Sequence, residues 1–162
     1  GVATSSVHGY IIGEHGDSAV PVWSGLSVGG VRLRSLNPEM GKESDPEHWG
    51  EVAKATIGAA QTVIAAKGYT NLAIGLTACA ITNAILRNAH TIHPVSTLVQ
   101  GLHGIEQQVF LSVPCVLGSS GVKSALALEL EPQEEEQLRS SAETIHNAQA
   151  ELDMPEEGGS AE

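Results

Sequence analysis

The stretch Gly13-Glu14-His15-Gly16-Asp17-Ser18 lies between two short apolar runs, residues 7–12 and residues 20–23. That arrangement predicts two strands joined by a tight turn with a histidine on it. A glycine on each side of Glu14-His15 lets the backbone take positive φ and lets another molecule come close to it. Histidine is the side chain whose ordinary pKa lies nearest neutrality, so an imidazole held on such a turn is placed to exchange a proton with a group lying against it. On spacing and composition alone, a polar surface turn also accounts for the pattern.

The chain has the length of one domain with a sizeable core, and because aromatics are only 3% of its 162 residues, that core must be built from Ala, Val, Ile and Leu. Its two cysteines, Cys79 and Cys115, form no Cys-x-x-Cys pair, so they read as small buried apolar groups rather than a disulfide or zinc framework. The formal charge of −11 is uneven: residues 131–162 hold ten acids and one base, leaving nine acids and seven bases before them. With no cluster of Lys and Arg to neutralise phosphates, nucleic acid is not an expected partner. No apolar run is long enough to span a bilayer and the start has no signal-peptide pattern, so a cytoplasmic protein with no membrane contact is expected. A start at Gly1-Val2-Ala3, without an initiator methionine, suggests a piece of a longer protein.

Further along, Asn37-Pro38 and Asp45-Pro46 mark a polar connection, and Asp45-Pro46 also resembles a helix start. Val52, Thr56, Ala59, Val63 and Ala66 then recur at helical spacing as an inward stripe, with Gly68 as the stop. Gly58 inside that helix is tolerable if the small residues Gly58-Ala59-Ala60 let another backbone or a ligand approach. A second helix over 71–89 is apolar on most sides and so is expected to be buried. Three strands follow, over 92–99, 109–117 and 122–130, with Pro94 and Pro114 confining theirs to edges or bulges. The last helix opens at Pro132, places Glu134, Glu135 and Glu136 in its first turn, and turns Leu138, Ala142, Ile145 and Leu152 inward. Residues 154–162 form an acidic tail too polar to fold, and disorder is expected there.

The run Val7-His8-Gly9-Tyr10-Ile11-Ile12-Gly13-Glu14-His15-Gly16-Asp17-Ser18-Ala19-Val20-Pro21-Val22-Trp23-Ser24-Gly25 resembles the active-site segment of L-lactate dehydrogenases. Lys67-Gly68-Tyr69-Thr70, Ala73-Ile74-Gly75-Leu76, His93-Pro94-Val95-Ser96-Thr97 and Phe110-Leu111-Ser112-Val113-Pro114-Cys115-Val116-Leu117-Gly118 are similar to that family's later blocks, in the same order. The resemblance covers residues 1–153. It implies an α+β, lactate/malate dehydrogenase C-terminal-domain-like fold, with a twisted antiparallel sheet, long packed helices and no Rossmann domain in this chain. It further implies the interconversion of pyruvate and L-lactate with NAD, in a homotetrameric parent whose substrate is a small 2-keto or 2-hydroxy acid.

Within that resemblance, His15 matches the histidine that gives a proton to the carbonyl oxygen and takes it back. Thr70 and Ala60 match positions bounding the substrate pocket, and Ile74 matches one packed on the nicotinamide ring. Each also has a plain reading, Thr70 as a helix N-cap and Ala60 and Ile74 as helix-core packing. His8 matches a position that binds a sugar bisphosphate in allosteric bacterial relatives, but its companion arginine would precede Gly1. His90, His93 and His103 have no carboxylate or thiolate in useful spacing, so no metal is expected.

Departures from the family are informative. The substrate-clamping arginine, the aspartate behind the histidine, the lid and the whole nucleotide-binding half with its Gly-x-Gly-x-x-Gly would all precede Gly1. Leu72 stands where relatives commonly have Trp, and Gln61 where Tyr is usual. The 162 residues alone are therefore expected to be inactive. The alternatives are a lactate-dehydrogenase-like malate dehydrogenase, or a non-catalytic truncated isoform acting through oligomerisation.

Overall fold

The computed structural model describes residues 1–152, and the expected disordered tail lies outside the described residues. The amino-terminal quarter is a set of very short strands: β1 (Val7–His8), β2 (Ile11–Ile12), β3 (Val20–Pro21), β4 (Ser27–Val28) and β5 (Val31–Arg32). The run read as one strand over 7–12 is split, β1 pairing with β4 and β2 with β3, both antiparallel. The β2–β3 pair, with Ile12 opposite Val20, closes the predicted histidine hairpin.

Two long helices follow, α1 (Trp49–Lys67) and α2 (Leu72–Leu86), then three antiparallel strands in the order β6 (Thr91–Leu98), β7 (Phe110–Gly118) and β8 (Gly121–Ala125), and finally α3 (Pro132–Ala150). The third strand is shorter than the expected 122–130, ending at Ala125. The core gathers Ile12 and Val20 of the hairpin, Val99 and Val109 beside the sheet, Leu111, Val113, Cys115 and Leu117 of β7, and Leu138 and Ala142 of α3. Leu152, expected to face inward, lies beyond the end of α3 and is exposed.

Pro94 lies on the edge strand β6, as expected, whereas Pro114 lies in the central strand β7, which has a register shift against β8 between Val116 and Leu117 but none at Pro114 itself. Its register explains this. Pro94 and Pro114 face each other, and the Pro114 carbonyl points the other way, accepting the Leu126 N–H at 2.8 Å. In an antiparallel ladder, a residue's N and C=O point to the same side. The donor that Pro114 lacks is therefore missing on the Leu126 side, just past the end of β8, where the ladder has already stopped.

Helix α1 does not begin at Asp45. The Asp45 side chain instead organises the turn before it, accepting from Asn37 Nδ2 (2.8 Å) and from the backbone N–H groups of Gly41 (2.9 Å), Glu47 (3.0 Å) and Trp49 (3.1 Å). Burial opposes ionisation of this carboxyl, but the four donors outweigh it and hold its pKa at about 2, against an ordinary 3.8. A carboxylate depressed in the folded state contributes stability above its unfolded value, and that contribution is lost as the pH falls through the folded value. Urea midpoints measured in steps from above 3.8 down to about 2 should therefore fall in the wild type, and fall less steeply in Asp45→Asn. Parallel pH curves would contradict this role.

Gly68 stops α1 as expected, in the left-handed conformation with its N–H on the Ile64 carbonyl at 2.7 Å. The predicted inward stripe is not buried, however. Val52, Thr56, Ala59, Val63 and Ala66 are all exposed, and only Ala53 and Ile57 of the mid-helix are half-buried. Helix α2 likewise contributes only Ala84 to the buried core and leaves Leu72, Ile74, Leu76 and Leu86 outward, Leu76 at 75% exposure. Helical spacing identifies an apolar face, but a face is buried only if something lies against it, and the described residues put nothing over these.

Candidate active site

His15 sits in the turn between β2 and β3 with its side chain exposed and, among the described residues, without a hydrogen bond. The backbone beneath it is fastened on two sides. Gly13 and Ser112 of β7 exchange reciprocal backbone hydrogen bonds, at 2.8 Å from Gly13 N–H and 2.9 Å from Ser112 N–H. On the other side, the Glu14 N–H donates to Ser141 Oγ of α3 at 2.7 Å. Ser18 returns the chain to the same place: its N–H reaches Glu14 Oε2 at 3.2 Å, its hydroxyl bonds the same carboxylate oxygen, and its Oγ lies 3.1 Å from Ser141 Oγ.

Two glycines permit this packing. Gly13 has φ +90°, and a Cβ there would fall 2.7 Å from Ser141 Oγ. A Cβ on Gly16 would fall 2.6 Å from the Glu14 carboxylate. The buried Ser141 leaves no room for a side chain at Gly13, whereas at Gly16 a side chain would displace the Glu14 carboxylate from its place. The segment after β3 is tied down as well, because the buried Glu134 of α3 accepts Ser24 N–H at 2.9 Å and Glu131 N–H at 2.9 Å. Glu134 is legible in the sequence only as a first-turn acid; its additional bond to Ser24 comes from the fold.

The other three candidates lie on the helical side of the chain. Ala60 is exposed on α1 and Ile74 is exposed on α2. Thr70 is exposed in the link between these helices, and it is not the cap: that is Asn71, whose side chain accepts Leu72 N–H at 2.9 Å. Among the described residues no hydrogen bond joins Thr70 to His15, and none of the four principal clefts is lined by His15, Ala60, Thr70 or Ile74. A mainly apolar cleft of about 410 Å³ lies instead against Tyr10, Val22, Trp23, Trp49 and Val52.

Residues 1–153 match the family model described as the lactate/malate dehydrogenase, alpha/beta C-terminal domain. The chain belongs to the lactate/malate dehydrogenase family. It is 52% identical over 152 residues to the L-lactate dehydrogenase A chain of Columba livia, which covers 94% of this chain and 46% of the relative. The corresponding chain of Sphyraena idiastes is 53% identical over 150 residues, covering 93% and 45%, and that of Gallus gallus is 51% identical over 152 residues, covering 94% and 46%. The chain thus spans less than half the length of these relatives.

No group of three or more His, Cys, Asp and Glu side chains arranged to hold a metal occurs among the described residues. His103 has a buried Nε2 with no hydrogen-bond partner among the described residues; burial pushes its pKa down, and the charge of Glu135 opposes that. Cys115 is buried as expected and its thiol pKa is raised by that burial, whereas Cys79 is exposed on α2, contrary to expectation, because α2 itself is uncovered. His8 is exposed on β1, and no described helix is long and apolar enough to cross a membrane. The residue that the sequence does not reveal is Ser141. Its one signal is position: it falls three residues after Leu138 and beside Ala142, a polar group on the buried stripe of α3 that must find a partner there.

Proposed function

We propose that this chain is the substrate-side half of an NAD-dependent L-lactate dehydrogenase interconverting pyruvate and L-lactate. The observation that carries this reading is His15, a solvent-facing imidazole on a turn held at both ends in a chain half identical to L-lactate dehydrogenase A chains. When bound, NAD supplies or accepts the hydride at the substrate carbon. The part left to His15 is proton transfer. As charge builds on the carbonyl oxygen, a protonated imidazole within hydrogen-bond reach neutralises it by giving up its proton, and recovers the proton in the reverse direction. Its freedom from other hydrogen bonds among the described residues leaves the ring available for that oxygen.

Thr70 and Ala60 bound the substrate on the helical side in this reading. Ile74, 65% exposed, offers an uncovered apolar surface that fits one face of a nicotinamide ring. These 162 residues hold no Gly-x-Gly-x-x-Gly, so the rest of NAD is held by the nucleotide-binding half. The uncovered faces of α1 and α2 receive that half and neighbouring subunits in a homotetramer, and the protein works in the cytoplasm. Carboxylate positioning also lies outside this chain, and such positioning supplies several kcal/mol of a barrier.

The test compares NADH-dependent reduction of pyruvate and of oxaloacetate by the protein that joins this chain to its nucleotide-binding half, and by the 162-residue chain alone. The longer protein should reduce pyruvate with the higher kcat/KM, and the chain alone should reduce neither. A preference for oxaloacetate would overturn the lactate assignment in favour of malate. Turnover by the chain alone would overturn the division of labour, and turnover by neither would support a non-catalytic isoform acting through oligomerisation.

A further inference from the structure

We infer that Ser141 is a positioning residue for His15, fixing the imidazole through a closed ring of hydrogen bonds on the backbone that carries it. The ring follows from proton accounting. Ser18 Oγ lies against both the Glu14 carboxylate and Ser141 Oγ, yet it has a single proton to give. A carboxylate only accepts, so Ser18 donates to Glu14 Oε2. The 3.1 Å contact between the two hydroxyls then requires Ser141 to be the donor and Ser18 Oγ the acceptor. Ser141 Oγ in turn accepts the Glu14 N–H at 2.7 Å, which closes the cycle Glu14 to Ser141 to Ser18 to Glu14 with every proton used once. Three such bonds in a loop polarise one another, and the loss of any one leaves a partly buried donor or acceptor unpaired.

The place of this ring gives it consequence. Ser141 is fully buried on α3, one turn from Leu138, so it is held by the core rather than by the loop. Its two partners, Glu14 and Ser18, bracket His15 in the chain. The histidine is therefore suspended between two points that share one anchor. Gly13 and Gly16 keep the space free for that anchor and for the folded-back Glu14 carboxylate. Reacting groups displaced by an ångström can lose about a hundredfold in rate, so a hydroxyl that sets the height of the loop affects proton transfer without touching substrate.

The inference rests on the proposed proton-transfer role of His15, and the experiment separates the two. In the protein joined to its nucleotide-binding half, Ser141→Ala, Ser141→Cys and Ser140→Ala are compared by hydrogen exchange at the Glu14 amide and by kcat and KM for pyruvate. Cys retains the shape of Ser with a poor acceptor, and Ser140 is exposed one residue earlier. Both Ser141 variants should speed Glu14 exchange and lower kcat by about tenfold each, with KM for pyruvate moving less than about twofold; Ser140→Ala should match the wild type.

Wild-type kcat in both Ser141 variants would overturn the positioning role, even if exchange at Glu14 increased. Exchange rising equally at amides throughout the protein would overturn it too, by showing general loosening. If the wild type reduces no pyruvate, the proton-transfer reading fails and the positioning role with it, while exchange at Glu14 that is slow in the wild type and faster in both Ser141 variants still supports the hydrogen bond from Glu14 to Ser141.

Discussion

Replacing His15 by Gln, in the protein that joins this chain to its nucleotide-binding half, should lower both kcat and kcat/KM for pyruvate reduction by about 10² to 10⁴-fold. Glutamine keeps a polar side chain of similar length, but it has no proton to transfer at neutral pH. Loss of an interaction made only as charge develops on the carbonyl oxygen lowers kcat and kcat/KM together and leaves KM near its original value. Misfolding offers no competing explanation. The His15 side chain is exposed and, among the described residues, makes no hydrogen bond, so its replacement should change stability by less than about 0.5 kcal/mol. Equal urea midpoints for wild type and variant check that condition. A rise in KM at constant kcat would show instead that His15 contributes only to binding.

Leu138→Ala should have the largest effect on stability, a loss of about 2–5 kcal/mol. Leu138 is 0% exposed and lies where α3 meets the hairpin residues Ile12 and Val20 and the core strand β7. Removing its three outer carbons forfeits their transfer from water and leaves a hollow that a helix tied at both Glu134 and Ser141 is poorly free to fill. Against the about 5–15 kcal/mol that ordinarily separates folded from unfolded states, this is a large share. The urea midpoint should fall while the slope of the transition is unchanged, and Leu138→Met, which nearly conserves volume, should cost less than about 1.5 kcal/mol. A loss below about 1 kcal/mol for Leu138→Ala would mean that α3 is not seated on the core as described, and the anchor of the histidine loop would be in question with it.

The parts of the fold legible in the sequence are those decided by near neighbours. The histidine hairpin, the stop at Gly68 and the start of α3 at Pro132 each depend on residues within a few positions, and each is where the pattern puts it. What the sequence hides depends on partners. The stripe from Val52 to Ala66 and the apolar girth of α2 are surfaces that avoid water, but period carries no information on whether the covering element lies in the same chain. Cys79 is exposed against expectation for the same reason. Pro114 sits in a central strand because Pro94 lies opposite and β8 ends beside it, neither of which is visible from its own strand.

At the candidate site the histidine is legible and its support is not. Ser141 is 127 residues from Glu14, and only the packing of α3 against the hairpin brings the two together. Thr70, one residue short of the cap, shows the limit of boundary reading from sequence, since Asn71 has equal chemistry for that position and takes it.

The most direct test is the pH dependence of kcat/KM for pyruvate reduction by wild type and His15→Gln. A proton donor must carry its proton when substrate arrives, so the wild-type rate should fall on the alkaline side as that proton is lost. With His15 replaced, the residual rate should lose this limb and run flat across the same range. An alkaline limb of unchanged midpoint in the variant would contradict the account, because another group would then be holding the proton assigned to His15.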